Sequence, residues 1–292
     1  MSTRECCASK SGPRRSAGHI LAALRRRARN QRGLSLLEVI IALAVMGVVT
    51  IAIFQLYITQ HKNYMTQDDI SVIQQNARSS IDEIARNVRM AGHEIPAGLE
   101  AIAAANTDPD TITVIYNASG CDTYLSDAMP QPSAELKCAT DVSCFSEDQW
   151  VYIYEPDSGG GEWFEITEVQ IGSRHIQHNT MTLSKCYGKD AIMVGLEMVK
   201  FFIDNTTDPD HPNLMVQRPG QTPQVFAEDI IDLQFRYRMK NGMIIDQPTL
   251  VDNIREVMIA VTGRSSAPDY ESEGQDHYRS RTFSSAVYLR NI

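Results

Sequence analysis

The residues that could do chemistry in this chain are few, and the most unusual is Glu38. It stands at the head of residues 39–58, which contain no charged side chain, five residues after Gly33 and directly behind a basic tract. A carboxylate one turn into an apolar helix costs about 2.5–3.5 kcal/mol near a bilayer centre, so Glu38 needs a partner cation or a place at the headgroups, to which it could snorkel. Other candidates are weaker. His175 and His178 are three apart in sequence that reads as strand or loop, where they do not share a face, so they read as polar side chains turned to solvent rather than as metal ligands. Asp204, Asp208, Asp210 and His211 make the loop after Ile203 acidic, and oxygen ligands there could bind calcium, but the spacing matches no EF-hand loop. The run Gly159-Gly160-Gly161 has no following helix or Lys-Ser/Thr and does not read as a phosphate cradle. No G-x-S-x-G is present, and the scattered Ser, His and Asp form no constellation, so neither an enzyme nor a cofactor is expected.

The elements that must position Glu38 follow from composition and periodicity. Residues 39–58 are long enough as helix to cross the roughly 30 Å hydrocarbon core of a bilayer. The first 33 residues carry nine Lys/Arg and one acid, whereas the whole chain of 292 residues has net charge −9, which leaves −17 on the remainder. That asymmetry holds the N-terminal end in the cytoplasm and sends the rest outward. An acidic remainder also argues against nucleic acid as the main partner. Beyond the apolar run, Ile70, Ile73, Ala77, Ile81, Ile84 and Val88 recur at steps of three and four, which predicts that the helix continues as an amphipathic one to about Met90. Gly92 and Pro96 supply the stop. Helix from Leu36 to Met90 would be roughly 80 Å long. Gly47 is its internal weak point, and Tyr57 and Tyr64 read as anchors at the outer membrane boundary.

From residue 111 the pattern changes to short β-type runs. Strands are expected at residues 111–116, 150–154, 163–169, 181–186, 197–203, 230–239, 257–262 and 282–289, with a hairpin loop over residues 156–161. Residues 205–212 and 265–275 read as polar loops. The fold class is therefore α+β: a long N-terminal helix on a mainly antiparallel sheet, in one or two layers.

The arrangement Arg32-Gly33-Leu34-Ser35-Leu36-Leu37-Glu38 followed by the apolar run resembles the prepilin signature of type IV pilins and type II secretion pseudopilins. The resemblance implies that a prepilin peptidase cuts between Gly33 and Leu34, that Leu34 is then N-methylated, and that its α-amino group pairs with Glu38 as apolar helices pack into a filament core. Leu34 departs from the Phe more usual at that position. The segment Gln74-Gln75-Asn76-Ala77-Arg78 through Ala85-Arg86-Asn87-Val88-Arg89-Met90-Ala91-Gly92 and the end Arg281-Thr282-Phe283-Ser284-Ser285-Ala286-Val287-Tyr288-Leu289-Arg290-Asn291 resemble, more loosely, PilW-type minor pilins. J-type minor pseudopilins are close behind.

The organisation implied is a removed leader (1–33), a transmembrane and filament-core helix (34–58), its amphipathic continuation (59–92) and a β-rich periplasmic or extracellular domain (93–292). The partners implied are the prepilin peptidase/N-methyltransferase, other pilins and the inner membrane. A minor pilin role in pilus assembly is expected first, a secretion pseudopilin second, and a membrane-anchored sensor or hydrolase third. Removal of the leader takes Cys6 and Cys7 with it. The even set Cys121, Cys138, Cys144 and Cys186 then faces an oxidising compartment and reads as disulfides. Two pairings stand nearly level: Cys138–Cys144 with Cys121–Cys186, or Cys121–Cys138 with Cys144–Cys186. No C-x-x-C spacing supports zinc.

Overall fold

The computed structural model describes residues 35–157, 160–268 and 277–292. The leader, Gly33, Leu34, Ser158, Gly159 and residues 269–276 lie outside the described residues. The chain divides into two compact units, Met1–Tyr64 and Met65–Ile292. A single helix, α1 (Leu36–Met90), is the described element of the first unit and opens the second.

Within the second unit α1 buries the expected stripe: Ile73, Ala77, Ile81, Ile84 and Val88 are all 6% exposed or less, and Ile70 is half-buried. Ser80 and Asn87 are buried beside them without being left unpaired. The Ser80 hydroxyl donates to the Asn76 carbonyl (2.7 Å), and the Asn87 amide donates to the Glu83 carbonyl (2.9 Å) while its oxygen accepts from the Tyr116 hydroxyl (2.8 Å). Buried polar groups satisfied in this way cost little and fix the rotation of the helix on the sheet. The helix stops at Gly92, whose φ of +79° is left-handed. A Cβ there would sit 2.6 Å from the Asn291 carbonyl oxygen, so only glycine lets the chain end pack over the turn.

The strands follow in order. First come β1 (Ile102–Ala105) and β2 (Thr111–Tyr116). Then come β3 (Asp122–Tyr124), β4 (Leu136–Lys137), β5 (Trp150–Tyr154), β6 (Gly161–Glu165), β7 (Glu168–Gln170), β8 (His175–Gln177) and β9 (Ile192–Val194). They are followed by β10 (Glu197–Asp204), β11 (Asn213–Gln217) and β12 (Gln224–Ala227). The last are β13 (Ile230–Met239), β14 (Ile244–Ile245), β15 (Ile254–Arg264) and β16 (Ser280–Tyr288). They form sheets ordered β1-β2-β10-β11-β12, β14-β13-β15-β16, β3-β9-β5-β6 and β4-β8-β7, with every pairing antiparallel. The class is α+β, as the periodicity predicts.

Because β2 and β10 are neighbours, everything from β3 to β9 is an insertion between adjacent strands of the first sheet. The insertion has its own core, including Leu125, Leu136, Val151, Ile153, Phe164, Ile166, Ile176 and Met193. The main core joins α1 to the first two sheets through Val199, Phe201, Leu233, Phe235, Val257 and Ile259, among others. A third cluster of Ile115, Tyr152, Val194 and Leu196 lies where insertion and main body meet.

Two expected strands differ. Residues 163–169 break into β6 and β7 because the pairing partner changes: Ile166 donates to the Gln149 carbonyl, and Thr167 to that of Gln177. Residues 181–186 form no strand, since Leu183 donates to the Pro132 carbonyl and Ser184 spends its backbone and hydroxyl donors on the Glu162 carboxylate.

Asp110 ties the first two sheets together. It is 3% exposed, donates its backbone N–H to the Leu233 carbonyl (2.8 Å) and accepts from Phe235 N–H (2.8 Å) with Oδ2, while Oδ1 is buried without a partner. Burial pushes its carboxyl above the ordinary range, against the pull of the Phe235 bond. The folded chain therefore holds this proton to higher pH than the unfolded chain does, so its contribution is present in acid and is lost as pH rises through the folded value. Asp110→Asn mimics the protonated form. Thermal unfolding of the chain and this variant, compared from about pH 4 to about pH 7, should show the balance moving in favour of the variant as pH rises; an unchanged difference would contradict this account.

Candidate processing and assembly segment

Helical hydrogen bonding of α1 begins with Val39 N–H donating to the Ser35 carbonyl (3.2 Å), which places Glu38 in the first turn. Around it Leu36, Leu37, Ile40, Ile41, Leu43, Val45 and Met46 are all more than half exposed. The apolar stretch, of mean hydropathy 2.7, buries none of itself within the chain and is long and apolar enough to cross a membrane. Its polar side chains fit that setting. Thr50 donates to the Met46 carbonyl (2.8 Å) and Thr59 to that of Gln55 (3.0 Å), so each hydroxyl is satisfied four residues back on the same helix. Gly47 has nothing within 4 Å of where a Cβ would stand and does not interrupt the helix. Tyr57 and Tyr64 are exposed, and the Tyr57 ring stacks on His61 at a centroid distance of 6.1 Å.

The cysteines depart from both expected pairings. The disulfide is Cys121–Cys144, with Cα atoms 5.9 Å apart, and Cys138 and Cys186 are free. Cys138 bridges to Leu125 and turns its sulfur into the insertion core toward the Leu136 carbonyl (3.8 Å), whereas Cys186 lies on the surface. Proximity in sequence misled because the β3–β4 segment folds Cys138 inward and leaves Cys144 beside Cys121. The disulfide closes a loop of sequence separation 23 and ties the start of the insertion to the approach to β5; such a loop contributes about 3 kcal/mol in the chain-entropy view.

The weaker candidates separate. Asp204 spends both carboxylate oxygens on its own loop, accepting from the Thr207 and Thr206 hydroxyls (2.6 and 2.7 Å) and their N–H groups. Those donors hold its carboxyl well below the usual range. Asp208 accepts from Asp210 N–H, and His211 Nδ1 lies 2.8 Å from Asp229 Oδ1, so the four residues face different partners. His175 stands near Glu135 (3.4 Å), while His178 is buried with its two ring nitrogens 2.7 and 2.9 Å from the Met181 and Ala134 carbonyls. Among the described residues no group of three or more His, Cys, Asp or Glu is placed to hold a metal ion. The insertion junction and the buried Asp110 were not foreseen. Asp110 carries a weak signal in the Asp108-Pro109-Asp110 turn ahead of an alternating run.

With this geometry in view, residues 28–54 match the prokaryotic N-terminal methylation motif. No curated protein matches the chain. The motif brackets Gly33, Leu34 and Glu38 and supports a type IV pilin-like or pseudopilin-type protein, processed by prepilin peptidase and associating with pilins. Together with the apolar helix it supports membrane anchoring.

The thiols give a direct check on the insertion. Burial pushes the Cys138 thiol up to about 11, and thiolate is the reactive form. Of these two thiols, alkylation of the folded chain should label Cys186 and not Cys138, Cys138 should react only after unfolding, and a non-reducing digest should contain a Cys121–Cys144 peptide. Equal labelling of Cys138 and Cys186 in the folded chain would contradict the placement.

Proposed function

We propose that this chain is a minor pilin of a type IV pilus, PilW-like, made as an inner-membrane precursor with its N-terminus in the cytoplasm and its β-rich domain in the periplasm. Prepilin peptidase removes residues 1–33, Leu34 is methylated, and the mature chain joins other minor pilins to prime the filament. The role is assembly, not catalysis. The observation that carries this reading is the methylation motif at residues 28–54 set on a helix, Leu36–Met90, whose only carboxylate before Asp68 is Glu38 in its first turn and whose apolar stretch is not buried among the described residues.

The physical argument concerns Glu38. In lipid its charge is costly; beside the α-amino group of Leu34, in its own or a neighbouring subunit, the charge is neutralised, and helices can leave the bilayer and pack together. The pair thereby favours the stacked state over the dispersed one. A large β-domain with an 11-residue strand and a sizeable insertion is bulky for a repeating lattice, which favours few copies. A secretion pseudopilin would use the same segment in the same way and would differ in its partners.

Glu38→Ala separates pilin-like packing from simple anchoring. The variant should reach the membrane at the wild-type level, since removing a charge eases insertion by about 2.5–3.5 kcal/mol at the bilayer centre, yet should be missing from sheared filaments or co-purified minor-pilin complexes. Normal incorporation of Glu38→Ala would contradict the proposal, and Glu38→Gln, which keeps shape without charge, should behave like Ala.

A further inference from the structure

The last strand of the chain is the longest free sheet edge among the described residues. β16 ends the sheet ordered β14-β13-β15-β16, runs nine residues and pairs with β15 in one unbroken register from Ser280 to Tyr288. The other edge strands run two to five residues, and β12 is bulged where it meets β11. Proteins blunt exposed edges with short strands, bulges, proline or charge, because a free row of backbone groups is a template for another chain. β16 has no proline and no bulge, and Arg281 is its one charged residue.

The register shows which backbone groups are free. At the two ends of the ladder Ser265 N–H donates to the Arg279 carbonyl (2.8 Å) and Leu289 N–H to the Arg255 carbonyl (3.1 Å). Bonded residues alternate in an antiparallel pair, so the odd-numbered residues of β16 bond to β15 and the even-numbered ones turn N–H and C=O away from it. Those are Ser280, Thr282, Ser284, Ala286 and Tyr288, and all five are exposed. Among the described residues no strand lies on that side of β16.

Charge selects the occupant. Residues 277–292 contain Arg279, Arg281 and Arg290 and no acid, in a chain that is acidic beyond its leader. Arg78 of α1 adds a guanidinium 5.8 Å over the Phe283 ring. A second copy would set one arginine-flanked edge against another. An extended segment bearing Asp or Glu instead gains charge-assisted contacts at both ends of the strand while its backbone completes the ladder.

We propose that β16 receives an extended acidic segment of a different protein chain, added as a further strand at this edge. The inference goes beyond the assembly role and does not rest on it, because β16 lies within the Met65–Ile292 unit and leaves Glu38 out of the contact.

The test places the photo-cross-linker p-benzoylphenylalanine at Thr282, Ser284 or Ala286 of the full chain in native membranes and maps the cross-linked peptides by mass spectrometry. All three positions should reach one segment, richer in Asp and Glu than in Lys and Arg, of one other protein, and the attachment point should move by two residues with each step. Ser284→Pro removes an outward N–H and leaves the bonds to β15 in place, so it should cut the yield from Thr282 by about fivefold or more. Arg281→Glu with Arg290→Glu, both exposed, should cut that yield by about fivefold or more; this pair decides alone if Ser284→Pro lowers the unfolding temperature. No cross-link, cross-links scattered over several proteins, attachment to a second copy or to the chain's own residues, or an undiminished yield in the double arginine variant would overturn the proposal.

Discussion

An apolar helix that buries nothing of itself within its own chain must find its cover elsewhere. From Leu36 to Tyr57 the large side chains of α1 are more than two-fifths exposed, and the only ionised group among them is Glu38. Lipid can supply the cover, and so can the matching helices of other subunits. The difference between those two environments is what happens to the carboxylate. A hydrocarbon surround penalises it, while a packed bundle containing an α-amino group rewards it. One side chain can thus bias the helix between two surroundings that are otherwise about equally apolar.

The rest of the chain is compatible with such a transfer because its own stability does not draw on the apolar stretch. The β-rich unit closes its core with the stripe from Ile73 to Val88, capped by Gly92 under the chain end and locked by the Asn87–Tyr116 hydrogen bond. Asp110 then joins two sheets through the backbone of Leu233 and Phe235. The insertion between β2 and β10 adds a second core and its own disulfide without breaking the pairing of those strands. Variation can therefore accumulate in the insertion while the helix and main sheets keep their geometry.

What was legible in the sequence was what rests on local periodicity. The stripe on α1, its end near Met90 and the bounds of β13 follow from spacings of three, four and two, and the structure places them where those spacings say. What was not legible rests on long-range pairing. Cys121 meets Cys144 because of how β3, β4 and β5 are laid out, which four cysteine positions cannot encode. The split between β6 and β7 reflects a change of partner strand, and the failed strand at residues 181–186 reflects donors captured by Glu162 and Pro132. The insertion itself was hidden for the same reason, since only the neighbourhood of β2 and β10 reveals it. Of the candidate segment, the apolar run and the place of Glu38 in its first turn were legible because both are written in consecutive residues.

The central claim is that the chain is a processed, methylated pilin-type subunit whose mature terminus pairs with Glu38. Intact mass and N-terminal sequencing of the chain from native membranes, with and without active prepilin peptidase, test it most directly. The account predicts a chain beginning at N-methylated Leu34 when the peptidase is active and a chain retaining Gly33 when it is not. A chain that keeps Gly33 in the presence of the active peptidase would contradict it and leave the apolar helix as an ordinary membrane anchor.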